Sequence, residues 1–197
     1  TMRRGADSAN ARWDNTVAIL TGDFLFARAS QILADLGPEA VRIQAQTFER
    51  LCTGQIKETV GPLEGEDPVK HHISVLSEKT GSLIATSGRF GAMLSGCDQV
   101  TTDILTNFGE QIGVAFQLAD DIVDITSDSE QSGKTPGTDL REGVPTLAGL
   151  IALTDSSPES AQLRDLLTRP LPDPQEHALA LELLRGHQSL HEARLEA

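Results

Sequence analysis

The sequence has few of the features that mark nucleic-acid-binding, disulfide-stabilised or secreted proteins. It contains 16 Lys and Arg against 29 Asp and Glu, a net charge of −13, and its longest basic run is Arg3 and Arg4. A phosphate backbone would repel such a chain. Cys52 and Cys97 match neither a disulfide framework nor a metal-ligand spacing. These absences favour a reducing, cytoplasmic compartment and argue against nucleic acid as a partner.

Long apolar runs and two-residue alternation are also missing. No uninterrupted apolar stretch approaches the roughly 18 residues of a transmembrane helix, so the sequence predicts a soluble chain. Apolar residues instead recur every three or four positions, which predicts an all-α fold. The start lacks a helix-start signal and the end lies within a helix-like pattern. We therefore expect residues 1–197 to form a single domain that lacks both of its ends.

Prolines, glycines and acidic caps divide the chain into helices. Asp14 or the next residue can cap a first helix that Gly37 ends, and a second helix follows over residues 38–60. Asp67 then caps a helix that runs toward Gly96. Glycines inside that helix cost about 1 kcal/mol each relative to alanine, so we expect a kink near residues 80–81.

The most regular helical pattern covers residues 99–126. Its apolar side is predicted to pack into the core; the residues are Leu105, Phe108, Ile112, Ala115, Phe116, Ala119, Ile122 and Val123. A polar, glycine-rich segment, 127–143, is predicted to be a loop. Beyond it, Pro145, Pro158 and Pro174 each suit the first turn of a shorter helix.

Three acids lie near the end of this long helix. At roughly 100° per residue, Asp124 falls about 40° and Asp121 about 100° from Asp120, so the three share one face, with Gln117 in the same sector. Like charges this close favour a bound cation, and hard oxygen ligands without nearby histidine or cysteine suggest Mg²⁺. Taken alone, an acidic helix face is more often solvated surface.

Companion motifs favour the functional interpretation. The residues from Phe108 to Thr146, FGEQIGVAFQLADDIVDITSDSEQSGKTPGTDLREGVPT, resemble the second aspartate-rich motif and following loop of bacterial trans-polyprenyl diphosphate synthases. The resemblance continues in the family's order through four further segments: Arg3-Arg4-Gly5, Gly22-Asp23, Thr53-Gly54-Gln55 with Glu58, and Lys79-Thr80-Gly81. It implies an isoprenoid synthase helical bundle around a central cavity.

The resemblance also implies an activity and its residues. The activity is a Mg²⁺-dependent prenyltransferase reaction that joins isopentenyl diphosphate to an allylic diphosphate and makes an all-trans polyprenyl diphosphate. Magnesium would be bound by Asp120, Asp121 and Asp124. The catalytic residues would be Lys79, Thr80, Gln117 and Asp120. The allylic diphosphate would be contacted by Lys79, Thr80, Gln117, Lys134 and Arg3. Isopentenyl diphosphate would be bound by Arg4. A homodimer and transient membrane contact during product release are the further partners implied.

Two positions depart from the family pattern. The first aspartate-rich motif usually precedes the two arginines and would fall before Thr1, and Val144 stands where many members carry a lysine. A noncatalytic subunit of a heteromeric synthase is therefore an alternative. A terpene cyclase is a weaker one, because cyclases typically carry an Asn, Ser and Glu motif where this chain has DDIVD. His71 and His72 are predicted to be surface residues at a helix start.

Overall fold

The computed structural model describes residues 2–3, 6–127 and 136–197, with side chains from residue 6 onward in those ranges. The side chains of Arg3, Arg4 and Lys134 lie outside the described residues. The all-α prediction is confirmed, apart from a short antiparallel pairing of Met2–Arg3 with Ala6–Asp7.

The described helices are numbered here in chain order. They are α1 (Ala9–Asp35), α2 (Pro38–Val60), α3 (Pro68–Leu76), a π-helix (Ser77–Gly81), α4 (Ser82–Leu94), α5 (Gln99–Thr126), α6 (Thr138–Glu142), α7 (Leu147–Thr154), α8 (Ala161–Leu167), α9 (Pro174–Gly186) and α10 (Gln188–Glu196). The chain divides into two compact units, Thr1–Glu49 and Arg50–Ala197, and the boundary falls inside α2. The single domain expected from the sequence stays a prediction.

Local capping explains most helix boundaries. Asp14 interrupts α1 with a φ of 70°, and its Oδ1 accepts a hydrogen bond from the N–H of Thr16 at 2.7 Å. It therefore caps the longer part of α1, as predicted. Gly37, with a φ of +102°, separates α1 from α2, and Asp67 caps α3 through the N–H of Val69 at 2.9 Å. Helix α5 has the predicted bounds.

The prediction of a loop over residues 127–143 is wrong at its end. Helix α6 lies there, between Gly137 and Gly143, which have φ values of +69° and +74°. Glycine adopts these left-handed conformations without steric cost, so a helix of five residues can begin and end abruptly. Leu140 anchors α6 in the core, where it is 6% exposed.

Only one of the three later prolines begins a helix. Pro174 is the first residue of α9, which Asp173 caps. Helix α7 begins after Thr146, whose Oγ1 accepts from the N–H of Gly149 at 3.3 Å, and α8 begins at Ala161. The helix starts expected at Pro145 and Pro158 are therefore wrong, because hydroxyl residues one and two positions later mark the actual boundaries.

The first unit places α1 beside the N-terminal part of α2. The rings of Phe26 and Phe48 lie 4.5 Å apart between centroids, and the Gln44 amide donates to Ser30 Oγ at 2.8 Å. None of the side chains of α1 is buried. Among the described residues, α1 is long and apolar enough to cross a membrane, with a mean hydropathy of 1.3. Polar residues interrupt this helix, so it contains no uninterrupted apolar stretch of that length, but its mean hydropathy is still high enough.

The second unit has a continuous apolar core. It is built from side chains of seven elements, with members including Leu76, Leu118, Ile125, Leu140, Leu147, Leu163, Leu184 and Leu190. Leu118 and Ile125 come from α5, so the C-terminal half of that helix is fixed against α3, α7 and the last two helices. This packing holds the aspartates of α5 in place relative to the rest of the unit.

The predicted core face of α5 is largely wrong. Its large apolar residues Phe108, Ile112 and Phe116 are 58%, 45% and 65% exposed, and Leu105, Ala119 and Val123 are exposed too. Ile122 and Ala115 are partly buried. The buried residues of α5 are Thr102, Gly109, Gly113, Leu118, Asp121 and Ile125. Helix α5 contacts its neighbours through small residues and leaves the bulky stripe uncovered.

Glycines explain why α5 packs through its small residues and not through its bulky ones. A Cβ atom on Gly113 would lie 2.7 Å from the Cα of Gly81, and one on Gly109 would lie 2.8 Å from the Cα of Ala85. The helix backbones meet with no room for side chains. The segment from Pro68 to Leu94 stays helical, and a π-helix, which adds one residue to a turn, covers the position of the predicted kink.

This contact predicts opposite effects for two matched substitutions. Gly113→Ala should lower the free energy of unfolding by about 1–3 kcal/mol, because the added methyl group overlaps the backbone of Gly81. Gly91→Ala should instead raise it by about 0.5–1 kcal/mol, because nothing lies within 4 Å of its Cβ position. Chemical denaturation measures both, and equal changes in the two variants would contradict the close approach.

Candidate functional site

The aspartate trio, Asp120, Asp121 and Asp124, lies at the C-terminal end of α5. The three side chains differ in environment: Asp120 is exposed, Asp124 is half-buried and Asp121 is only 8% exposed. The sequence places the three on one face. The structure adds that solvent exposure varies across this face, from exposed at Asp120 to buried at Asp121.

A fourth acid, Asp139 on α6, joins the trio. The backbone N–H of Asp139 donates to Asp124 Oδ2 at 3.2 Å, and the N–H of Gly137 donates to the Asp124 carbonyl oxygen at 2.8 Å. Burial raises the pKa of the Asp139 carboxyl to about 7, and the negative charges of the trio add to the effect. The sequence reasoning missed Asp139, although its position directly after a glycine-bounded turn was a usable signal.

The donor set of this site fits a hard divalent cation. All four groups are carboxylates, and burial together with the neighbouring aspartates raises the pKa of Asp139. Within the described ranges, no three acidic, histidine or cysteine side chains converge tightly enough to hold a metal ion unaided. Such a site suits an ion that keeps several waters and shares its coordination with substrate phosphates, as Mg²⁺ does.

The π-helix presents two further sequence-predicted residues. Thr80 Oγ1 donates to Gln117 Oε1 at 3.2 Å, so Thr80 and Gln117 lie together, one turn from the trio. Lys79 Nζ instead pairs with Glu58 Oε2 on α2 at 2.6 Å, and the Gln55 amide donates to the same oxygen at 2.8 Å. Single π-turns are frequent at functional sites because they change which face successive side chains occupy.

Ion pairs fasten the π-helix to its neighbours. Arg50 Nη2 lies 2.7 Å from Glu110 Oε1, and Ser77 Oγ donates to that oxygen at 2.6 Å. The Arg50 hydrogen bond lowers the pKa of Glu110 below its ordinary value. Lys57 Nζ lies 2.6 Å from Glu78 Oε1 on the π-helix. The C-terminal part of α2, the π-helix and α5 are thus held in register by polar contacts.

The prediction that His71 and His72 are surface residues is wrong. They are 8% and 9% exposed. His71 Nδ1 lies 3.2 Å from Glu66 Oε2, and its Nε2 lies 3.2 Å from the Lys57 carbonyl oxygen. His72 Nε2 lies 3.5 Å from Asp121 Oδ2 of the trio. Both side chains turn inward because α3 is covered by surrounding elements and leaves little of its surface to water.

Side chains of α9 form hydrogen bonds with the C-terminal end of α5 and with the residue before α6. Arg185 Nε donates to the Ile125 carbonyl oxygen at 2.7 Å, and its Nη2 donates to the Ser127 carbonyl oxygen at 2.9 Å. The positive side chain satisfies terminal carbonyl groups of α5. His177 Nε2 lies 2.7 Å from the Gly137 carbonyl oxygen, next to the start of α6. One helix therefore fixes the end of α5 and the entry to α6.

Comparison with known proteins decides the family. The family model described as polyprenyl synthetase matches residues 1–184. The chain belongs to the polyprenyl synthetase family. This membership agrees with the clustering of acids at the end of α5 and explains why the motifs occur in the family's order.

Individual members show the extent of the similarity. A nonaprenyl diphosphate synthase of Mycobacterium tuberculosis is 52% identical over 193 residues, which are 98% of this chain and 58% of that protein. A geranylgeranyl pyrophosphate synthase of Corynebacterium glutamicum, solved with calcium and isoprenyl diphosphate, is 49% identical with a TM-score of 0.83, over 94% of this chain and 58% of its own.

A more distant member has the same fold. The polyprenyl synthase of Caulobacter crescentus, also solved with calcium and isoprenyl diphosphate, has a TM-score of 0.86 at 29% identity, covering 98% of this chain and 60% of its own. The isoprenoid synthase fold predicted from the sequence is thereby confirmed. The chain spans about six-tenths of the length of these polyprenyl synthetases.

The acid cluster predicts a pH-dependent stability in the absence of metal. Because the pKa of Asp139 is raised from 3.8 to about 7, its ionisation destabilises the folded state progressively as pH rises through that range, and no penalty remains below the lower value. Asp139→Asn should therefore melt at a higher temperature than wild type at pH 8 in chelator, with a smaller difference at pH 5.

Asp103→Asn provides the control for this measurement. Asp103 is an exposed acid on α5, so its replacement should leave the melting temperature nearly unchanged at both pH values. Thermal unfolding followed by circular dichroism gives the comparison. A lower melting temperature for Asp139→Asn at pH 8 would show that the charges of this cluster do not oppose folding.

Proposed function

We propose that the protein is a Mg²⁺-dependent prenyltransferase of isoprenoid biosynthesis. It condenses isopentenyl diphosphate with an allylic prenyl diphosphate to make an all-trans polyprenyl diphosphate. The observation that carries the proposal is the meeting of the trio with Asp139, which brings a fourth carboxyl group to the end of α5. The related synthases solved with calcium and isoprenyl diphosphate support a divalent cation and a prenyl diphosphate at such a site.

The reaction breaks the bond between the allylic carbon and its diphosphate, joins that carbon to the double bond of isopentenyl diphosphate, and releases a proton. A bound Mg²⁺ supplies electrostatic stabilisation of the departing diphosphate. Asp120, Asp121 and Asp124 would hold the ion, with Asp139 next to them. No protein nucleophile is needed, so positioning and charge are the main contributions of this chain.

The Thr80 and Gln117 pair has a defined task in this proposal. The Thr80 hydroxyl donates to the side-chain oxygen Oε1 of Gln117, which fixes the plane of the side-chain amide and leaves its NH₂ group to donate elsewhere. A diphosphate oxygen is the acceptor we propose. Lys79 would exchange its pairing with Glu58 for the diphosphate, as a point charge on a flexible stem can do. Lys134 and Arg3 would complete the allylic site, and Arg4 would bind isopentenyl diphosphate.

The activity is tested by incubating the full protein with isopentenyl diphosphate and several allylic diphosphates, followed by sizing of the products. Elongation is expected with Mg²⁺ and should stop in chelator. Asp120→Ala should reduce turnover by at least about 100-fold with an unchanged circular dichroism spectrum, because it removes a ligand of the cation that would stabilise the departing diphosphate.

Asp103→Ala is the charge-matched control, since it removes an exposed acid from the same helix, and it should elongate normally. Elongation that persists in chelator would overturn the metal assignment. A well-folded protein that elongates only after a second, different subunit is added would favour the noncatalytic-subunit alternative. Cyclic hydrocarbon products from one substrate would favour a cyclase.

We further propose that the protein works in the cytoplasm as a homodimer, with transient membrane contact when the product leaves. The dimer proposal is supported by the apolar stripe of α5, which comprises Ile104, Phe108, Ile112 and Phe116 at four-residue spacing, each at least 45% exposed. Exposed apolar stripes of this kind are typical of protein interfaces. An apolar polyprenyl chain, for its part, partitions into lipid rather than water.

Disruption of the apolar stripe should change the oligomeric state. Phe108→Glu places a charge in the middle of the stripe, so sedimentation velocity should shift from dimer to monomer at the same protein concentration. Leu63→Glu changes a 72% exposed leucine away from the stripe and should leave the dimer intact. A dimer that persists in Phe108→Glu would place the interface on another surface.

A further inference from the structure

The approach of His72 to Asp121 is unusual because both side chains are buried and, among the described residues, the facing nitrogen and oxygen have no hydrogen-bond partner. The facing atoms, His72 Nε2 and Asp121 Oδ2, make no hydrogen bond within the described structure, although they lie 3.5 Å apart. The two side chains are 10% and 11% exposed, so water has little access to either one. Buried polar atoms without partners are rare in native proteins and each one requires a physical explanation.

The distance is close to that of a hydrogen bond. A shift of about 0.5 Å brings the atoms into the ordinary range for an N–H donor and a carboxylate oxygen. The two residues come from different elements: His72 is in the middle of α3 and Asp121 is near the end of α5. Core packing of Leu76 with Leu118 fixes these elements against each other, so the facing of the two side chains is built into the fold.

We propose that His72 is a positioning residue for Asp121. In this arrangement the imidazole donates its Nε2 hydrogen to Asp121 Oδ2 and keeps the carboxylate in one rotamer, with Oδ1 left for the cation. The proposal rests on the proposed function, because it assumes that the trio binds Mg²⁺ together with a diphosphate. Outer donors that orient a metal-binding carboxylate typically change metal affinity 10- to 100-fold when removed.

The neighbouring His71 supplies a matched control. It is as deeply buried as His72 and lies on the same helix, but it contacts Glu66 and the Lys57 carbonyl oxygen. Replacement of either histidine by phenylalanine removes a buried imidazole and keeps an aromatic ring. The two variants should lose comparable stability, whereas only the His72 variant should change metal affinity.

The test measures metal binding without turnover. The melting temperature of the full protein is followed against Mg²⁺ concentration at a fixed, saturating concentration of inorganic diphosphate. His72→Phe should raise the Mg²⁺ concentration at half-maximal stabilisation by about 10- to 100-fold. His71→Phe should leave this midpoint at the wild-type value. His72→Gln, which keeps an N–H donor, should restore most of the affinity.

A double-variant cycle shows whether His72 acts through Asp121. In an Asp121→Asn background the carboxylate is already gone, so adding His72→Phe should produce no further shift of the Mg²⁺ midpoint. Equal midpoints for wild type and His72→Phe, or equal shifts for the two histidine variants, would overturn the proposal. If His72→Phe does not fold, His72→Met provides a second side chain without a donor, and the same outcomes apply.

The wild-type curve separates this proposal from the one on which it rests. No stabilisation of the wild-type protein by Mg²⁺ and diphosphate would refute the proposed function, and the role of His72 would fall with it. Stabilisation of wild type together with an unchanged midpoint in His72→Phe would refute only the positioning role. The expected pattern, in which the response is present in wild type and weakened in His72→Phe alone, supports both.

Discussion

Crowded negative charge at the end of α5 is the constraint that organises the second unit. Carboxylates repel one another, and burial strengthens that repulsion because water no longer screens it. Burial raises the pKa of Asp139, and the neighbouring aspartates raise it further. A protein keeps such an arrangement only if its packing outweighs the repulsion or if a ligand relieves it. Here the apolar core beneath Leu118 and Ile125 supplies the packing, and a divalent cation with its diphosphate would supply the relief.

The close contact between Gly81, at the end of the π-helix, and Gly113 of α5 determines which side chains lie beside the acids. Gly81 and Gly113 bring the two backbones together, and the π-helix ending at Gly81 then turns Thr80 toward Gln117. Ion pairs from α2 to the π-helix and α5 hold this register from the other side. The described side chains of the candidate site therefore lie on packed helices, which hold side chains in defined positions more precisely than loops do.

The same geometry leaves bulky apolar side chains uncovered. Because α5 uses its small residues to approach α4, its large residues must point the other way, where Phe108 and Phe116 are more than half exposed. Helix α1 likewise has no buried side chain. Apolar surface of this extent is costly in water. The packing around the candidate site and the surface that we assign to association thus have a common origin in Gly81, Gly109 and Gly113.

The sequence by itself determined the all-α class, the bounds of α5 and the nearness of the trio, because helical periodicity and capping are local properties. It also predicted Asp67 and Pro174 at helix starts, for the same reason. The structure alone could show that Asp139 joins the trio, that His72 faces Asp121, and that the large apolar residues of α5 point outward. These features depend on which helices meet and how closely. The four-residue spacing of Phe108, Ile112 and Phe116 gives no sign that Gly109 and Gly113, rather than those residues, form the packed face.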